Sequence, residues 1–460
     1  MVILLKVIQV IFALSLLVII HEFGHYSFAK LFKTRVEKFY LFFNPKFSII
    51  KFKKFEGKWH VKAFSGNSDE QWDAYPQNTE YGIGWLPLGG YCKIAGMIDE
   101  SMDKEALKLP PQPWEFRTKP AWQRFFIMFG GVLYNFILAI IIYAAILFNW
   151  GEEYLRNEDA KYGIAVNDLS YEVGFRNGDR ILAFDGIPTE DFTQLQVDMV
   201  RSQAKEATVL RDGDTITVEI DPTYIPAILN TPGMFSIAFP FVVGSLPDDS
   251  INRDSGIAVG DEINAVNGEE MFLVHDVQQK LSECKGDTVT VTARRGSVEV
   301  EVPLLVDTAG RIQVILDTDM SKYFSFTANT YGVLASIPAG AKKAFLTVKN
   351  YVKELGLIFS PKTEAYKSVG SFIAIGRIFP DTWDWFRFWT LTALLSIMLG
   401  VLNILPIPAL DGGHILFLII EMITGRKVSE KALEVAETIG IILLIMLMIL
   451  AFGNDIRSLF

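Results

Sequence analysis

The chain has 460 residues, of which 50% are hydrophobic and 21% charged, and its formal net charge is -10. A mean hydropathy of +0.27 excludes intrinsic disorder and leaves too much apolar sequence for a purely water-soluble protein. The negative charge, without a basic stripe to neutralise phosphates, argues against a nucleic-acid-binding protein. Two cysteines, Cys92 and Cys284, are too few for a disulfide framework.

Four apolar segments are long enough to cross the roughly 30 Å hydrocarbon layer of a bilayer. The sequence therefore predicts a multi-pass α-helical membrane protein with four transmembrane helices. No small-residue cleavage site follows the N-terminal apolar run, so we interpret it as a retained span. The predicted spans cover residues 2–29, 122–150, 388–422, which is interrupted by Pro406 and Pro408, and 432–452.

Charges near the span ends predict the orientation, because lysine and arginine accumulate in cytoplasmic loops. Residues 26–124 contain 16 Lys and Arg against 11 Asp and Glu, with basic residues close to both flanking spans. Residues 151–310 contain 12 and 29, respectively. We expect the first loop to face the cytoplasm, and the acidic region and both termini to face outward. Basic residues between spans three and four favour the same orientation: Arg426, Lys427 and Lys431.

The first loop has β-like sequence at 39–43, 47–55 and 58–64, separated by turn signals. Its Phe and Trp residues suit either an ordinary sheet core or a sheet that dips into the membrane surface. Because the loop is tied to spans at both ends, we favour a membrane-associated β-rich cytoplasmic loop.

The acidic region contains an internal repeat with a period of 82 residues. Each copy carries a tight-turn dipeptide, followed by a helical stretch and an alternating strand pair. The pattern resembles the PDZ domain and predicts two extracytoplasmic PDZ-like α+β domains, with two generic β-rich modules as the alternative. The matching positions are Gly174, Gly178-Asp179, Ile181 and Asp185-Gly186, repeated as Gly256, Gly260-Asp261, Ile263 and Asn267-Gly268.

The end of span one contains a His-Glu-x-x-His motif, in which His21 and His25 share one helical face. Neutral imidazoles at this spacing suit tetrahedral Zn²⁺. Glu22 lies off that face, where its carboxylate reaches the attacking water rather than the metal, as a general base does. The alternative is a hydrogen-bonded histidine pair at a helix terminus with Glu22 as a solvated end charge. Ionisable groups in an apolar span are costly and usually functional, which favours the zinc interpretation.

A third zinc ligand is expected in span three, which combines Asp411 with two prolines and two glycines in apolar sequence. Such a broken backbone survives at membrane depth only where protein or a water-filled cavity satisfies its polar groups. His414 is an alternative ligand, and an Asp-Gly turn at a helix end is the plain interpretation of Asp411. We expect His60 and His275 to be surface or packing residues.

These motifs together resemble the site-2 protease family of intramembrane zinc metalloproteases, and the tandem repeats resemble its bacterial RseP-like branch. The resemblance also rests on the segment Leu86–Tyr91 and on the spacing between Asn403 and Leu410-Asp411-Gly412. One departure is Val132, which replaces the proline of the family's Gly-Pro-x-x-Asn segment and puts the local helix geometry in question. The glycine and asparagine of the segment are kept as Gly131 and Asn135, so the resemblance still implies the family role for Asn135.

The resemblance implies a ligand set of His21, His25 and Asp411, Glu22 as the base, and Asn403 as a holder of the substrate backbone. It also implies bacterial inner-membrane localisation, with the zinc site near the cytoplasmic side and the PDZ-like domains in the periplasm. The implied substrates are single-pass transmembrane proteins trimmed by an upstream protease, such as an anti-sigma factor, and remnant signal peptides. An edge strand of the first loop would pair with the unwound substrate.

Two other classes stay open at this point. A PDZ-bearing scaffold without catalysis has no need of Glu22. A metal transporter favours further ionisable residues in spans two and four, which we do not expect there.

The predicted domain division of the chain is 1–33 (first transmembrane helix), 34–119 (loop), 120–150 (second helix), 151–235 and 236–308 (PDZ-like domains), 309–387 (linker with an amphipathic helix), 388–423 (third span) and 432–455 (fourth helix).

Overall fold

The computed structural model describes residues 1–67, 69–87, 89–97 and 110–457, the side chains at 362, 368 and 430 excepted. Leu88 and residues 98–109 of the predicted first loop lie outside the described residues. Its α-helices are α1 (Val2–Leu31), α2 (Glu70–Asp73), α3 (Ala121–Trp150), α4 (Asp168–Val173), α5 (Leu195–Ser202), α6 (Ile225–Asn230), α7 (Val274–Glu283), α8 (Val333–Ile358), α9 (Phe372–Ile378), α10 (Trp385–Ile404), α11 (Asp411–Thr424) and α12 (Glu430–Arg457).

The strands in the same ranges form several sheets. They are β1 (Val36–Leu41), β2 (Phe47–Phe55), β3 (Lys58–Gly66), β4 (Glu80–Ile83), β5 (Tyr91–Ile94), β6 (Glu152–Tyr154), β7 (Ile164–Val166), β8 (Arg180–Phe184), β9 (Ile187–Pro188), β10 (Glu206–Arg211), β11 (Asp214–Glu219), β12 (Phe235–Ile237), β13 (Val243–Ser245), β14 (Glu262–Val266), β15 (Glu269–Glu270), β16 (Thr288–Arg295), β17 (Val298–Leu305), β18 (Ile315–Leu316) and β19 (Thr327–Asn329).

The chain divides into two compact units. The first comprises Met1–Gly151, Thr330–Gly356 and Tyr366–Phe460, and the second comprises Glu152–Asn329 and Leu357–Ala365. Among the described residues, four helices are long and apolar enough to cross a membrane: α1, α3, α10 and Lys431–Arg457 of α12. Their number agrees with the four spans that the sequence predicts.

The third predicted span differs from the expectation of one interrupted helix over 388–422. Helix α10 ends at Ile404, the chain then passes through Pro406 and Pro408, and a separate helix α11 begins at Asp411. Proline has no N–H to donate and restricts the residue before it, so the helix cannot continue through this segment. Asp411 therefore lies at the first turn of a new helix rather than late in a continuous span.

The first loop forms a five-stranded sheet in the order β3-β2-β4-β1-β5. Strands β1 and β4 are parallel and the other pairs are antiparallel. The sequence did not predict β4 and β5, which flank the Gly-rich segment 84–90. A Cβ at Gly82 would lie 2.3 Å from the Tyr40 ring, so this glycine serves packing within the sheet.

The two repeats of the second unit fold into matching four-stranded sheets, β11-β10-β8-β9 and β17-β16-β14-β15. The predicted tight turns have left-handed backbone at Asp185 (φ 47°) and Asn267 (φ 53°), each followed by a glycine. Each copy also buries one aspartate completely under a bidentate arginine: Asp179 with Arg211, and Asp261 with Arg295. The sequence repeat is therefore a structural repeat.

Candidate active site

His21 and His25 lie one turn apart on α1 and point to the same side of the helix. Their Nε2 atoms are 3.2 Å apart, and the ring planes meet at 84°. Both side chains are buried. Helix α1 continues through the motif without a break, so the spacing of four residues brings the two imidazoles to one side of the helix.

Asp411, at the start of α11, brings its carboxylate to the two imidazoles. Its Oδ2 atom is 3.1 Å from His21 Nε2 and 3.4 Å from His25 Nε2. The three residues form a group of possible metal ligands from two helices more than 380 positions apart in sequence. The structure thus brings together the three residues that the sequence nominated.

The donor set fits a zinc ion. Ligand atoms about 2.0–2.1 Å from a tetrahedral centre stand about 3.3 Å from one another, and the three distances here are 3.1, 3.2 and 3.4 Å. Asp411 Oδ2 is buried and has no hydrogen-bond donor. An anionic oxygen left without a donor beside two imidazole nitrogens is the arrangement that a divalent cation stabilises.

Helix α3 supports the site from behind. A Cβ at Gly131 would lie 2.5 Å from His25 Nε2 and 2.6 Å from His21 Cε1, so only glycine leaves room for the imidazoles. Val132, the departure from the family pattern, is fully buried inside an uninterrupted α3. The helix geometry is therefore regular at this position, and Asn135 one turn further reaches the site.

The second ring nitrogens of both histidines contact α3. His25 Nδ1 lies 2.9 Å from the Ile127 carbonyl oxygen, which accepts its N–H and leaves Nε2 free to ligate. His21 Nδ1 lies 3.1 Å from the Asn135 amide nitrogen. Metal-binding histidines are generally oriented by such outer contacts. The chemistry of the residues alone does not assign Asn135 to the site; the signal in the sequence is the family's Gly-Pro-x-x-Asn segment, which Gly131 and Asn135 match.

Glu22 and Asn403 flank the metal group on different elements. The Glu22 carboxylate lies within hydrogen-bonding reach of the backbone N–H of Cys92 on β5. Asn403, in the last turn of α10, places its amide nitrogen 3.4 Å from His21 Nε2. One general-base candidate and one amide therefore face the metal group, next to an edge strand of the first-loop sheet.

The other histidines lie apart from the metal group. His414 Nε2 is 3.4 Å from a Glu437 carboxylate oxygen on α12. His60 stacks on Phe55 with ring centroids 3.8 Å apart, which agrees with a packing role. His275 lies in the first turn of α7, where its Nε2 atom is 3.2 Å from a carboxylate oxygen of Asp276.

The expectation that spans two and four lack ionisable residues was wrong. Glu437 lies inside the predicted fourth span and faces His414. Arg124, at the start of the second span, pairs with Glu421 at 2.5 Å. Each charge has a partner on another helix, which is how ionisable groups persist in apolar surroundings.

Comparison with known proteins extends this description to the whole chain. Residues 9–67 and 69–447 match the model of peptidase family M50. Protease RseP of Yersinia pestis is 27% identical over 480 residues, with 98% of both chains covered. The "Regulator of sigma-E protease RseP" of Salmonella typhimurium is 27% identical over 474 residues, again with 98% of both covered. The "Putative zinc metalloprotease" of Xylella fastidiosa (strain 9a5c) is 27% identical, with 97% of both covered.

These matches, together with the apolar helices, confirm the predicted multi-pass inner-membrane protein, the protease activity and the Zn²⁺ cofactor. The family match covers most of the chain, including the His-Glu-x-x-His segment and Asp411. The chain therefore belongs to peptidase family M50, as an RseP-like zinc metalloprotease of the site-2 protease type.

Proposed function

We propose that the protein cleaves a peptide bond within a membrane-spanning segment of its substrate. The observation that carries this proposal is the close group of two imidazole nitrogens and one carboxylate oxygen beside Glu22, on apolar helices. In this proposal His21, His25 and Asp411 hold the zinc ion, Glu22 is the general base, and Asn403 binds the substrate backbone.

Zinc, when bound, supplies Lewis-acid polarisation of the scissile carbonyl and acidification of water. Glu22 accepts a proton from the attacking water and afterwards delivers it to the leaving amine. The Asn403 side chain has an NH2 group that donates and a carbonyl oxygen that accepts, so it can pair with the C=O and the N–H of an extended peptide backbone. Its distance of 3.4 Å from His21 Nε2 supports a role in holding the substrate beside the metal group.

A transmembrane helix must unwind before it is cut, and each unsatisfied backbone group in lipid costs several kcal/mol. Pairing with an edge strand satisfies those groups. The sheet ends at β5, and α1, the helix that carries Glu22, packs against this edge strand. A substrate strand added to β5 would run past the general base, so we assign β5 as the substrate-pairing strand.

The sheet of the first loop is proposed to lie in the cytoplasmic membrane surface. One face is apolar: Phe52 pairs with Val61 on β3 and with Tyr81 on β4. Val61 is 61% exposed and the neighbouring Trp59 56% exposed. Exposed apolar faces of this kind mark membrane or protein contacts. The positive charge of residues 26–124 supports a cytoplasmic location for this face and for the zinc site.

The two repeat modules are proposed to be PDZ-like domains in the periplasm, where they exclude substrates that still carry bulky outer domains. Their matching sheet orders support a common ancestry of the two copies. On this basis the substrates are single-pass proteins trimmed by an upstream protease, of the anti-sigma factor type, together with remnant signal peptides. We propose the same boundaries for the two domains as the sequence predicts, 151–235 and 236–308.

The test combines metal analysis of the purified full chain with cleavage of a reporter transmembrane segment that has a short outer tail. We expect one zinc per chain, cleavage by the wild type, and no cleavage by Glu22→Gln although it keeps its zinc. General bases contribute about 10²–10⁴-fold, so the variant should lose at least about 100-fold in rate. A reporter with a folded outer domain should be spared. Unchanged cleavage by Glu22→Gln would refute the assigned mechanism.

A further inference from the structure

Helix α12 is attached to the other helices at a few points only. Among its described side chains, Gly440, Ala451 and Asp455 are buried, while most of the others are exposed. Glu437, one turn before Gly440, keeps only 12% of its side chain exposed. Glu437 and Gly440 are three residues apart and therefore lie on the same face of α12. This face is the one that contacts the segment carrying Asp411.

The first contact joins Glu437 to α11. Its carboxylate oxygen lies 3.4 Å from His414 Nε2, and His414 follows Asp411 by one helical turn. A polar group without a partner is costly in an apolar environment. The pair therefore ties α12 to the helix that begins with Asp411.

The second contact precedes Asp411. A Cβ at Gly440 would lie 1.8 Å from the Pro408 carbonyl oxygen, so the two backbones touch. Ala409, between Pro408 and Asp411, has a left-handed backbone with φ 72°. A non-glycine residue with this backbone conformation is strained and persists only where its surroundings fix it. One face of α12 thus contacts the chain three residues before and three residues after Asp411.

We infer that Glu437 is a positioning residue of the metal centre, which acts through His414 to fix the start of α11 and with it the Asp411 carboxylate. The inference rests on the proposed ligand role of Asp411. Glu437 itself is not among the residues grouped around the metal position. Its contribution is to hold the third ligand in place, so its loss weakens zinc binding and turnover without removing a ligand.

The test uses the full chain in detergent, with zinc affinity measured by competition against a chromogenic chelator and kcat and KM measured on the trimmed reporter. Outer-shell changes cost about 10–100-fold in metal affinity. We expect Glu437→Ala to lower zinc affinity about tenfold and to lower kcat with little change in KM. Glu437→Gln should keep most of the affinity, because its amide keeps an oxygen beside His414 Nε2. Met446→Ala, a 62% exposed position on the same helix, is the matched control.

A double-mutant cycle identifies the route of the effect. His414→Ala should resemble Glu437→Ala, and the double variant should be no worse than either. Additive losses, or wild-type zinc affinity in Glu437→Ala, would overturn the inference. If Glu437→Ala does not fold, Gly440→Ala, which pushes α12 off the Pro408 carbonyl, should give the same loss of zinc affinity. A wild type without zinc or cleavage would instead contradict the proposed function.

Discussion

The Nδ1 atom of His21 lies 3.1 Å from the amide nitrogen of Asn135, while the Asn135 Oδ1 is buried without a hydrogen-bond partner. A half-turn of the amide brings Oδ1 to Nδ1, where it accepts the imidazole N–H. His21 then keeps the Nε2 lone pair for the metal position. Asn135 would therefore fix the tautomer of one histidine as the Ile127 carbonyl does for the other.

Replacing Asn135 with alanine should accordingly weaken zinc binding by about 10–100-fold, the usual effect of losing an outer contact of a metal-binding histidine. Asn135→Asp, which keeps an acceptor oxygen, should retain more affinity than Asn135→Ala. Chelator competition measures both. Asn149→Ala, an exposed position on the same helix, is the control. Equal affinity of Asn135→Ala and the wild type would show that Asn135 does not orient His21.

The site was predictable from the sequence where local geometry decides it. The spacing of His21 and His25 defines one helical face, and Asp411 was conspicuous as a carboxylate among prolines and glycines in an apolar segment. Glu437 was not predictable, because an acid near the start of a span is ordinarily a solvated end charge. Only the packing of α12 against α11 gives it a partner. The strands β4 and β5 were missed because their pairing depends on β1, which lies 42 residues before β4 and 51 to 58 residues before β5 in the paired positions.

Asp411 should be the third ligand rather than His414. Asp411→Asn keeps the volume of the side chain but replaces an anionic oxygen by a neutral one, so zinc affinity should fall by at least about 100-fold. Metal content after dialysis against a chelator measures the loss. Asp381→Asn, 69% exposed, is the control. An unchanged zinc content in Asp411→Asn would assign the third position to another residue.

The apolar face of the first-loop sheet should be shielded by lipid. In a Cys92→Ser, Cys284→Ser background, we expect Val61→Cys to react at least about tenfold more slowly with a water-soluble maleimide in membranes than in denaturant. Val61 is 61% exposed in the protein alone, so protein burial does not explain protection. Lys58→Cys, at the exposed start of the same strand, should react rapidly. Equal rates at both positions would place the face in water.

Substrate should pair with β5. In the same cysteine background, with Glu22→Gln added to stop turnover, Lys93→Cys should form a disulfide with cysteines near the cleavage position of a reporter. The reason is that β5 is the sheet edge next to Glu22. Ser65→Cys on β3, at the opposite edge, is the control and should not cross-link. Cross-linking at β3 alone would assign the substrate strand to the other edge.

The second repeat module should lose stability in acid through Asp261. Burial raises the pKa of this carboxyl, but hydrogen bonds from Arg295 and the Ala258 N–H outweigh burial and hold the pKa below its usual value. Because the pKa of Asp261 is lower in the folded module than in the unfolded chain, its carboxylate stabilises the module fully above the unfolded-state pKa of about 3.9. This stabilisation is lost as the pH falls through the folded-state pKa. Hydrogen-exchange protection of β14–β17, corrected for intrinsic rates, should therefore fall below about pH 4.

Asp261→Asn should remove the same contribution at neutral pH, because the neutral amide cannot accept both hydrogen bonds of the Arg295 guanidinium. We expect a loss of about 2 kcal/mol in protection and a flatter dependence on pH. The exposed Asp254→Asn changes the net charge equally and should leave protection unaltered. Equal pH dependence in the wild type and Asp261→Asn would mean that another carboxylate controls the acid sensitivity of the module.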